Sequence, residues 1–386
     1  MKSVIACGLI SGTSRDGVDV AIVEISGRYP HCRIKLIHGE TIPFPRWLRR
    51  RLLKPGDEFT ALEIAALNFV LGEFFAQAVL KALAACKLKP QDIAVIGNHG
   101  QTLLHRPGGI RFGPRKVRAT LQVGSGAVIE VLTGIPTVSD FRSADIAAGG
   151  EGAPLVPIFD FAILASRTKT RVALNIGGIS NVTVLPKGRD ITKVEGFDCG
   201  PGNCMIDFAV RYLTGGRKSY DAGGRLAQKG KPDADEISRI LSHPYLDRKP
   251  PKSTGWNEFG EHFTLRSIRR MQKRGMSIAD IVSTLTQATV EAIAGSIRKF
   301  VLRRMVVDEI IVTGGGVHNP VIMAGLAQRL RECRLLRGED VGISSDWKEA
   351  CAFAFLGVGA KKLHRGVGAK RLHRGVGAKK LHRVSR

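Results

Sequence analysis

The sequence predicts an α/β chain of two domains. Three observations lead there. Strand-like, β-branched segments alternate with helical ones along the whole chain. A unit of strand, glycine turn and strand occurs twice, near residues 4–25 and again near 171–185, about one domain apart. The length, 386 residues, exceeds one ordinary core. Apolar residues at 44% and charged residues at 24% are those of a globular chain and exclude disorder over the full length.

The elements follow in order. Residues 4–10 (VIACGLI) read as a buried strand, 11–17 as a small polar glycine turn, and 18–25 (VDVAIVEI) as the returning strand of a hairpin. Residues 64–86 are helical. Their Asn68, Glu73, Gln77 and Lys81 mark a core helix, not a membrane span. Residues 93–96 form a strand that runs into Gly97-Asn98-His99-Gly100-Gln101-Thr102. Residues 121–132 are helical by their end, and 136–139 form a short strand that delivers Asp140. A glycine-rich loop covers 148–154.

The opening pattern then returns. Residues 171–175 (RVALN) are a strand, 176–181 (IGGISN) a Gly-Gly turn, and 182–185 the returning strand. A strand over 191–197 leads into Asp198-Cys-Gly-Pro-Gly-Asn203, and a helix follows from about Met205. Ser277 with Asp280 reads as a capping box for a helix whose apolar stripe includes Ile281, Val282, Leu285, Ala288 and Ile293. Residues 309–313 are a strand ending in Gly314-Gly315-Gly316, and 347–356 a last helix.

The net charge of +25 would by itself suggest nucleic acid or an anionic membrane. Its distribution argues otherwise. From residue 357 the chain reads GVGAKKLHR, GVGAKRLHR, GVGAKKLHR, VSR, and these 30 residues hold five Lys and five Arg with no acid. They carry +10, leaving +15 for the rest. Two glycines in every nine-residue unit oppose helix, and the unit is too short for a solenoid. Residues 366–386 are expected to be a disordered basic tail, with the first copy finishing the last helix. Seven scattered cysteines without a CxxC pair fit reduced thiols and a cytoplasmic setting. The N-terminus lacks the features of a signal peptide.

Four glycine-rich turns follow strands, at 11–17, 176–181, 199–203 and 314–316. Glycine lets backbone N–H groups reach phosphate oxygens, and ligands of open α/β sheets gather at the carboxyl ends of strands. One such turn is usually structural; four together favour a nucleotide. None is a Walker A loop or a GxGxxG fingerprint, and HExxH and GxSxG are also missing. The carboxylates expected at strand ends are Asp16, Asp19, Asp140, Asp145 and Asp198. Asp198 is the candidate general base, with a helix cap or turn as its plainer reading. Asp16 and Asp19 are the candidates for a divalent metal, directly or through water, with turn chemistry as theirs. His99, in Asn-His-Gly-Gln-Thr, is either a sugar-hydroxyl ligand or a local backbone partner.

These segments together resemble the anhydro-N-acetylmuramic acid kinase family. The resemblance runs from about Gly8 to Leu356 through GLISGTSRDGVDVA, GNHGQTLLHRP, LTGIPTVSDFRSADIAAGGEGAPLVP, ALNIGGISNVTVL, GFDCGPGNCMID, PPKSTGWNEF, VTGGGVHNP and SDWKEACAFAFLG. It implies a two-domain actin-like ATPase (sugar kinase) fold, with duplicated ribonuclease-H-like cores and a cleft between them. It implies ATP and Mg²⁺ as cofactors, and a reaction that opens a 1,6-anhydro ring with water and phosphorylates the freed O6 in peptidoglycan recycling. Asp198 matches the family's catalytic aspartate. Gly12, Thr13, Ser14, Arg15, Asp16, Gly17, Val18 and Asp19 match its phosphate loop. Gly177, Gly178, Asn181, Gly314, Gly315, Gly316 and Asn319 would line the rest of the nucleotide site. His99, Gln101, Thr102, Asp140, Arg142 and Glu349 would face the sugar.

Expected domains are 1–138, 139–365 and the tail 366–386. We expect a homodimer, no membrane partner, and nucleic acid only through the tail. Three departures stand out: Arg15 where the family has Leu, Ala144 where many members have a basic residue, and Trp256 where Arg is usual. They keep open the alternatives of a weakened, nucleotide-binding kinase-like protein or a kinase for a related anhydro-sugar.

Overall fold

The computed structural model describes residues 3–12 and 14–364; Thr13 of the expected phosphate loop and the expected tail 366–386 lie outside the described residues. The chain divides into two units, one from Met1–Ile163 with Trp347–Arg386 and one from Leu164–Asp346. This differs from the expected single boundary at 138/139 with a second domain to 365. The observed division is later, and the chain comes back, because the helix Lys348–His364 packs on the first sheet.

The first unit holds β1 (Val4–Ser11), β2 (Gly17–Arg28), β3 (His31–Pro43), β4 (Ile93–Phe112), β5 (Arg115–Val123) and β6 (Thr137–Val138), in the order β3-β2-β1-β4-β5 with β6 also beside β4. β1 to β3 form an antiparallel meander, and β4 and β6 add in parallel. The second unit holds β7 (Arg171–Ile176), β8 (Ile179–Leu185), β9 (Glu195–Pro201), β10 (Glu309–Thr313) and β11 (Arg334–Arg337), in the order β11-β10-β7-β8-β9. Again three strands form an antiparallel meander and two add in parallel. The strand order of one core is thus drawn twice, with β5 antiparallel to β4 where β11 is parallel to β10, as a duplicated ribonuclease-H-like arrangement. The twice-read hairpins are its first two strands.

Alternation along β1 explains the layers of the first unit. Cys7 and Leu9 pack with Leu71, Phe75 and Val79 of the helix Ala61–Ala85. Ala6 and Ile10 turn to the other face and pack with Phe353 and Phe355 of Lys348–His364. Gly8 and Gly97 let that last helix lie directly on the sheet: a Cβ at either would fall within 2 Å of the helix carbonyls of Ala350 and Phe353. The helix Ala61–Ala85 is long and apolar enough to cross a membrane. It instead lays its Leu71–Val79 face on the sheet, after a Thr60–Glu63 capping box. In the second unit, Ile278–Ile297 carries the expected Ser277–Asp280 capping box and buries Ile281, Val282, Leu285, Ala288 and Ile293.

Candidate functional site

In the first unit, β1 ends at Ser11, opposite Gln101 of the parallel strand β4. The Ser11 hydroxyl lies 2.6 Å from Gln101 Oε1 and 2.9 Å from Gly17 O, tying both ends of the turn to β4. Gln101 Nε2 donates to Gly12 O at 3.4 Å. The turn closes with Arg15 N donating to Gly12 O, and Arg15 takes a left-handed φ of 53°. Its guanidinium donates to Leu52 O at 2.5 Å and Lys54 O at 3.2 Å. A cation there sits at the negative end of the helix Arg46–Leu52. Ser14 donates to the exposed Asp16 carboxylate at 2.6 Å, and Thr41 donates to Asp19 at 2.6 Å. Gly17, Val18 and Asp19 belong to β2 itself.

Residues 97–102 are not a loop after a strand; they are the middle of β4, which continues to Phe112. His99 is buried and bonded at both ring nitrogens: Nδ1–H donates to Gly100 O at 2.9 Å, and Nε2 accepts from Arg142 Nε at 2.8 Å. Burial, then the Arg142 charge, hold its pKa well below the usual imidazole value. The ring is therefore neutral, and it faces the Phe353 ring at 4.7 Å. Arg142 also donates to Gly152 O at 2.9 Å, and Asp145 accepts from Gly152 N at 2.8 Å. Thr102 Oγ1 accepts from Gln122 at 3.2 Å.

His99 and Arg142 are thus brought together, and Gln101 joins the turn. Asp140 stands apart, exposed, with a φ of 62° ahead of the helix Phe141–Ala147. Asp145 lies inside that helix and not at a strand end. Glu349 is half-buried in the first turn of Lys348–His364. Its neighbour Lys348 is fully buried and paired with the equally buried Asp160 at 2.8 Å, which anchors that helix start.

In the second unit, three glycine segments meet at the carboxyl ends of β7 and β10. The Gly177 and Gly178 carbonyls of the β7–β8 turn accept from Gly202 N, Asn203 N and Cys204 N at 2.8–3.1 Å. Gly202 is required by the fold, since a Cβ there would lie 2.3 Å from Gly177 O. Gly314 lies against Asn175 and Ile176, Gly315 faces Asn203 and Gly316 lies against Ile176, while Gly314 N donates to Ser345 O at 2.9 Å. Asn319 caps the helix Pro320–Arg329 through Val321 N and Ile322 N. Asn181 sits on β8, paired with Asp198.

Gly177 differs from Gly202. A Cβ at Gly177 would meet only Ile179 O at 3.6 Å and Asn175 Nδ2 at 3.8 Å, ordinary contacts. At Gly12 of the first unit a Cβ would meet nothing within 4 Å. Neither has a backbone angle that excludes a side chain. The fold does not demand glycine at these two positions.

Asp198 lies inside β9, three residues before its end. Cys199 is the extra residue of a bulge: Asn181 pairs with Asp198 and Ser180 with Gly200. Bulges of this kind re-aim the neighbouring side chain. Asp198 is buried, and its carboxylate accepts from Thr254 N at 2.9 Å. Its backbone N donates to Lys252 O at 3.1 Å, and its carbonyl accepts from the Tyr245 hydroxyl at 2.9 Å. Thr254 donates to Glu258 in turn. A carboxylate whose backbone is held at both N and O, which accepts a bond from Thr254 N and is shielded from bulk water, is placed to take a proton.

Tyr245, Lys252 and Thr254 were not singled out in the sequence. They come from 47 to 56 positions beyond Asp198, and the quoted Pro-Pro-Lys-Ser-Thr stretch holds Lys252 and Thr254 but not Tyr245.

A family model described as anhydro-N-acetylmuramic acid kinase matches residues 4–384. Curated relatives of that name include one from Caldanaerobacter subterraneus subsp. tengcongensis, 40% identical over 351 residues, covering 90% of this chain and 89% of the relative. One from Rippkaea orientalis is 41% identical over 354 residues, covering 90% and 91%. One from Francisella tularensis subsp. novicida is 41% identical over 352 residues, covering 91% and 90%. Among solved structures, component A of the Acidaminococcus fermentans (R)-2-hydroxyglutaryl-CoA dehydratase has a TM-score of 0.48 at 12% identity, covering 93% of this chain and 99% of that one. The fold is read from the two sheets and not from this distant likeness.

Proposed function

The chain belongs to the anhydro-N-acetylmuramic acid kinase family, and from that premise we propose that it opens the 1,6-anhydro ring of anhydro-N-acetylmuramic acid with water and transfers the γ-phosphoryl group of ATP to the freed O6. The product is N-acetylmuramate 6-phosphate. The observation that carries the reading is Asp198. It is a buried carboxylate on a bulged strand of the same sheet whose β7–β8 turn holds Gly177, a glycine the fold does not require.

In this reading Asp198 takes a proton from the water that attacks C1. The C1–O6 bond breaks, O6 attacks the γ-phosphorus, and ADP leaves. Positioning and charge neutralisation supply most of the rate of such a transfer. Each unit offers a phosphate turn of its own: the backbone amides around Gly12 in the first, and those around Gly177 in the second. Arg15 holds the loop by its helix-end contacts, and Ser11 and Gln101 fix where the loop starts. His99 and Arg142 form one rigid, neutral-to-cationic pair facing the sugar, with Gln101, Thr102, Asp140 and Glu349 as further sugar-side groups. The neutral His99 offers hydrogen bonding without charge, and Arg142 supplies the cation for the lactyl carboxylate.

The donors at the first hairpin fit a divalent cation. Asp16 is exposed beside a serine hydroxyl, Asp19 lies beside a threonine hydroxyl, and all are hard oxygen ligands. Two carboxylates suffice for an ion that keeps several waters and takes phosphate oxygens. Mg²⁺ bound there would neutralise phosphate charge. A cytoplasmic homodimer is part of the same proposal, read out by fractionation and light scattering.

The test supplies ATP, Mg²⁺ and 1,6-anhydro-N-acetylmuramic acid in ¹⁸O-labelled water. A 6-phosphate carrying one ¹⁸O at C1 is expected. An unlabelled phosphorylated sugar, or ADP without sugar phosphate, would overturn the coupled reaction.

A further inference from the structure

Lys252 is a lysine in the interior. It is 3% exposed, yet no carboxylate lies against its ammonium as a direct ion pair among the described residues. Instead Nζ stands 4.7 Å from the ring centroids of both Tyr245 and Phe300, between two π faces. The carbonyls of Tyr245 and Leu246 lie at 3.5 and 3.4 Å. A desolvated cation is costly unless something nearby uses it.

The same residues grip Asp198. Lys252 O accepts from Asp198 N, Tyr245 donates its hydroxyl to Asp198 O, and Thr254 N donates to the Asp198 carboxylate. One excursion of the chain, 245–254, therefore holds the strand carrying Asp198, and the same excursion carries the buried ammonium of Lys252. Resting on the reading of Asp198 as the base, we propose that Lys252 is a positioning residue, whose buried ammonium keeps the Asp198 carboxylate ionised and oriented.

Other groups share the region. Cys199 follows Asp198 in the bulge, and burial pushes its thiol up to about 12, so it stays neutral. Tyr245 is likewise pushed up by burial. Glu258 lies beyond Thr254, and Arg248 stands 5.5 Å from the Tyr245 ring and 3.7 Å from Glu258. Lys299 stands 5.5 Å from the Phe300 ring and pairs with Asp247. Burial, the largest influence, pulls the Lys252 pKa down, while the Asp198 carboxylate pulls it up. The attraction to Asp198 is mutual: what favours the ammonium favours the carboxylate.

The experiment reads Asp198 directly and does not depend on turnover. Protein labelled with ¹³C-aspartate is titrated by NMR, and the Asp198 carboxyl is identified by its absence in Asp198→Asn. In Lys252→Met, removing the cation is expected to move the Asp198 midpoint to higher pH by about one unit. In Lys252→Arg the midpoint stays near wild type, and the acidic limb of kcat/KM follows the titration in both. Lys252→Gln gives the same reading should the methionine variant fold poorly. An Asp198 midpoint that does not move in the neutral variants would overturn the proposal. Turnover of Asp198→Asn tests the base assignment separately, so the two failures are distinguishable.

Discussion

Gly177→Ala separates a glycine kept for the fold from one kept for a ligand. In the structure the new methyl would meet Ile179 O at 3.6 Å and Asn175 Nδ2 at 3.8 Å, contacts any side chain makes. The unfolded chain loses freedom, so the variant is expected to be as stable as the parent or about 0.4–1 kcal/mol more stable. Nucleotide binding should respond oppositely. A backbone N–H reaches a phosphate oxygen at about 2.9 Å, which leaves little room for a methyl one bond away. Forced relief of such crowding costs about 1–3 kcal/mol, or roughly 5- to 150-fold in Kd.

The assay is calorimetric titration with a non-hydrolysable ATP analogue and Mg²⁺, beside thermal unfolding of the same samples. Gly202→Ala is the control with the reverse signature. Its methyl would fall 2.3 Å from Gly177 O, forcing apart three backbone hydrogen bonds. Stability should drop by about 2–4 kcal/mol. If Gly177→Ala binds the analogue as tightly as wild type at unchanged stability, the β7–β8 turn does not approach phosphate and the nucleotide assignment there fails.

Three further outcomes are expected. Arg15→Leu loses the bonds to Leu52 O and Lys54 O, and should cost about 1 kcal/mol while leaving nucleotide affinity within about threefold. A much larger affinity loss would put the guanidinium on the phosphates. Burial, then Arg142 and Arg106, hold His105 at about 4, below its ordinary 6.5. The unfolded state then protonates first as pH falls. The stability from neutral His105 is therefore full above about 6.5 and lost toward about 4. Urea midpoints at pH 7.5 and 5 should differ less in His105→Asn than in wild type, and an equal difference would refute the attribution. Tyr245→Phe removes the donor to Asp198 O at 2.9 Å. It should lower stability by about 1–2 kcal/mol and turnover with it, whereas unchanged turnover would make the hydroxyl irrelevant to Asp198.

Much of this architecture is legible in the sequence because the physics is local. VIACGLI and RVALN are apolar on both faces, as strands covered by helices must be, and the glycine turns after them permit only a tight return. The Ser277–Asp280 capping box is likewise a short-range signal. What was missed is long-range or exposed. β3 carries Arg33, Lys35 and His38 at a sheet edge, so its polar residues hide its extended backbone. β4, expected over 93–96 alone, runs on through Gly97, Gly100, Pro107, Gly108 and Gly109, residues that disfavour a strand, and pairs with the strongly basic β5. Asp198 was read at a strand end, because a one-residue bulge has no signature apart from its partner strand. Lys252 lay in a proline-rich stretch that resembles a surface loop. Only folding brings it under Tyr245 and Phe300.

The measurement closest to the central claim is Asp198→Asn assayed for two products in one reaction, ADP and the ring-opened sugar phosphate. If Asp198 activates the water whose attack releases O6, both rates fall together by about 10²-fold or more, as loss of a general base should produce. ATP-analogue affinity stays near wild type. Turnover near wild type, or ADP formation that persists while ring opening is lost, would contradict the account.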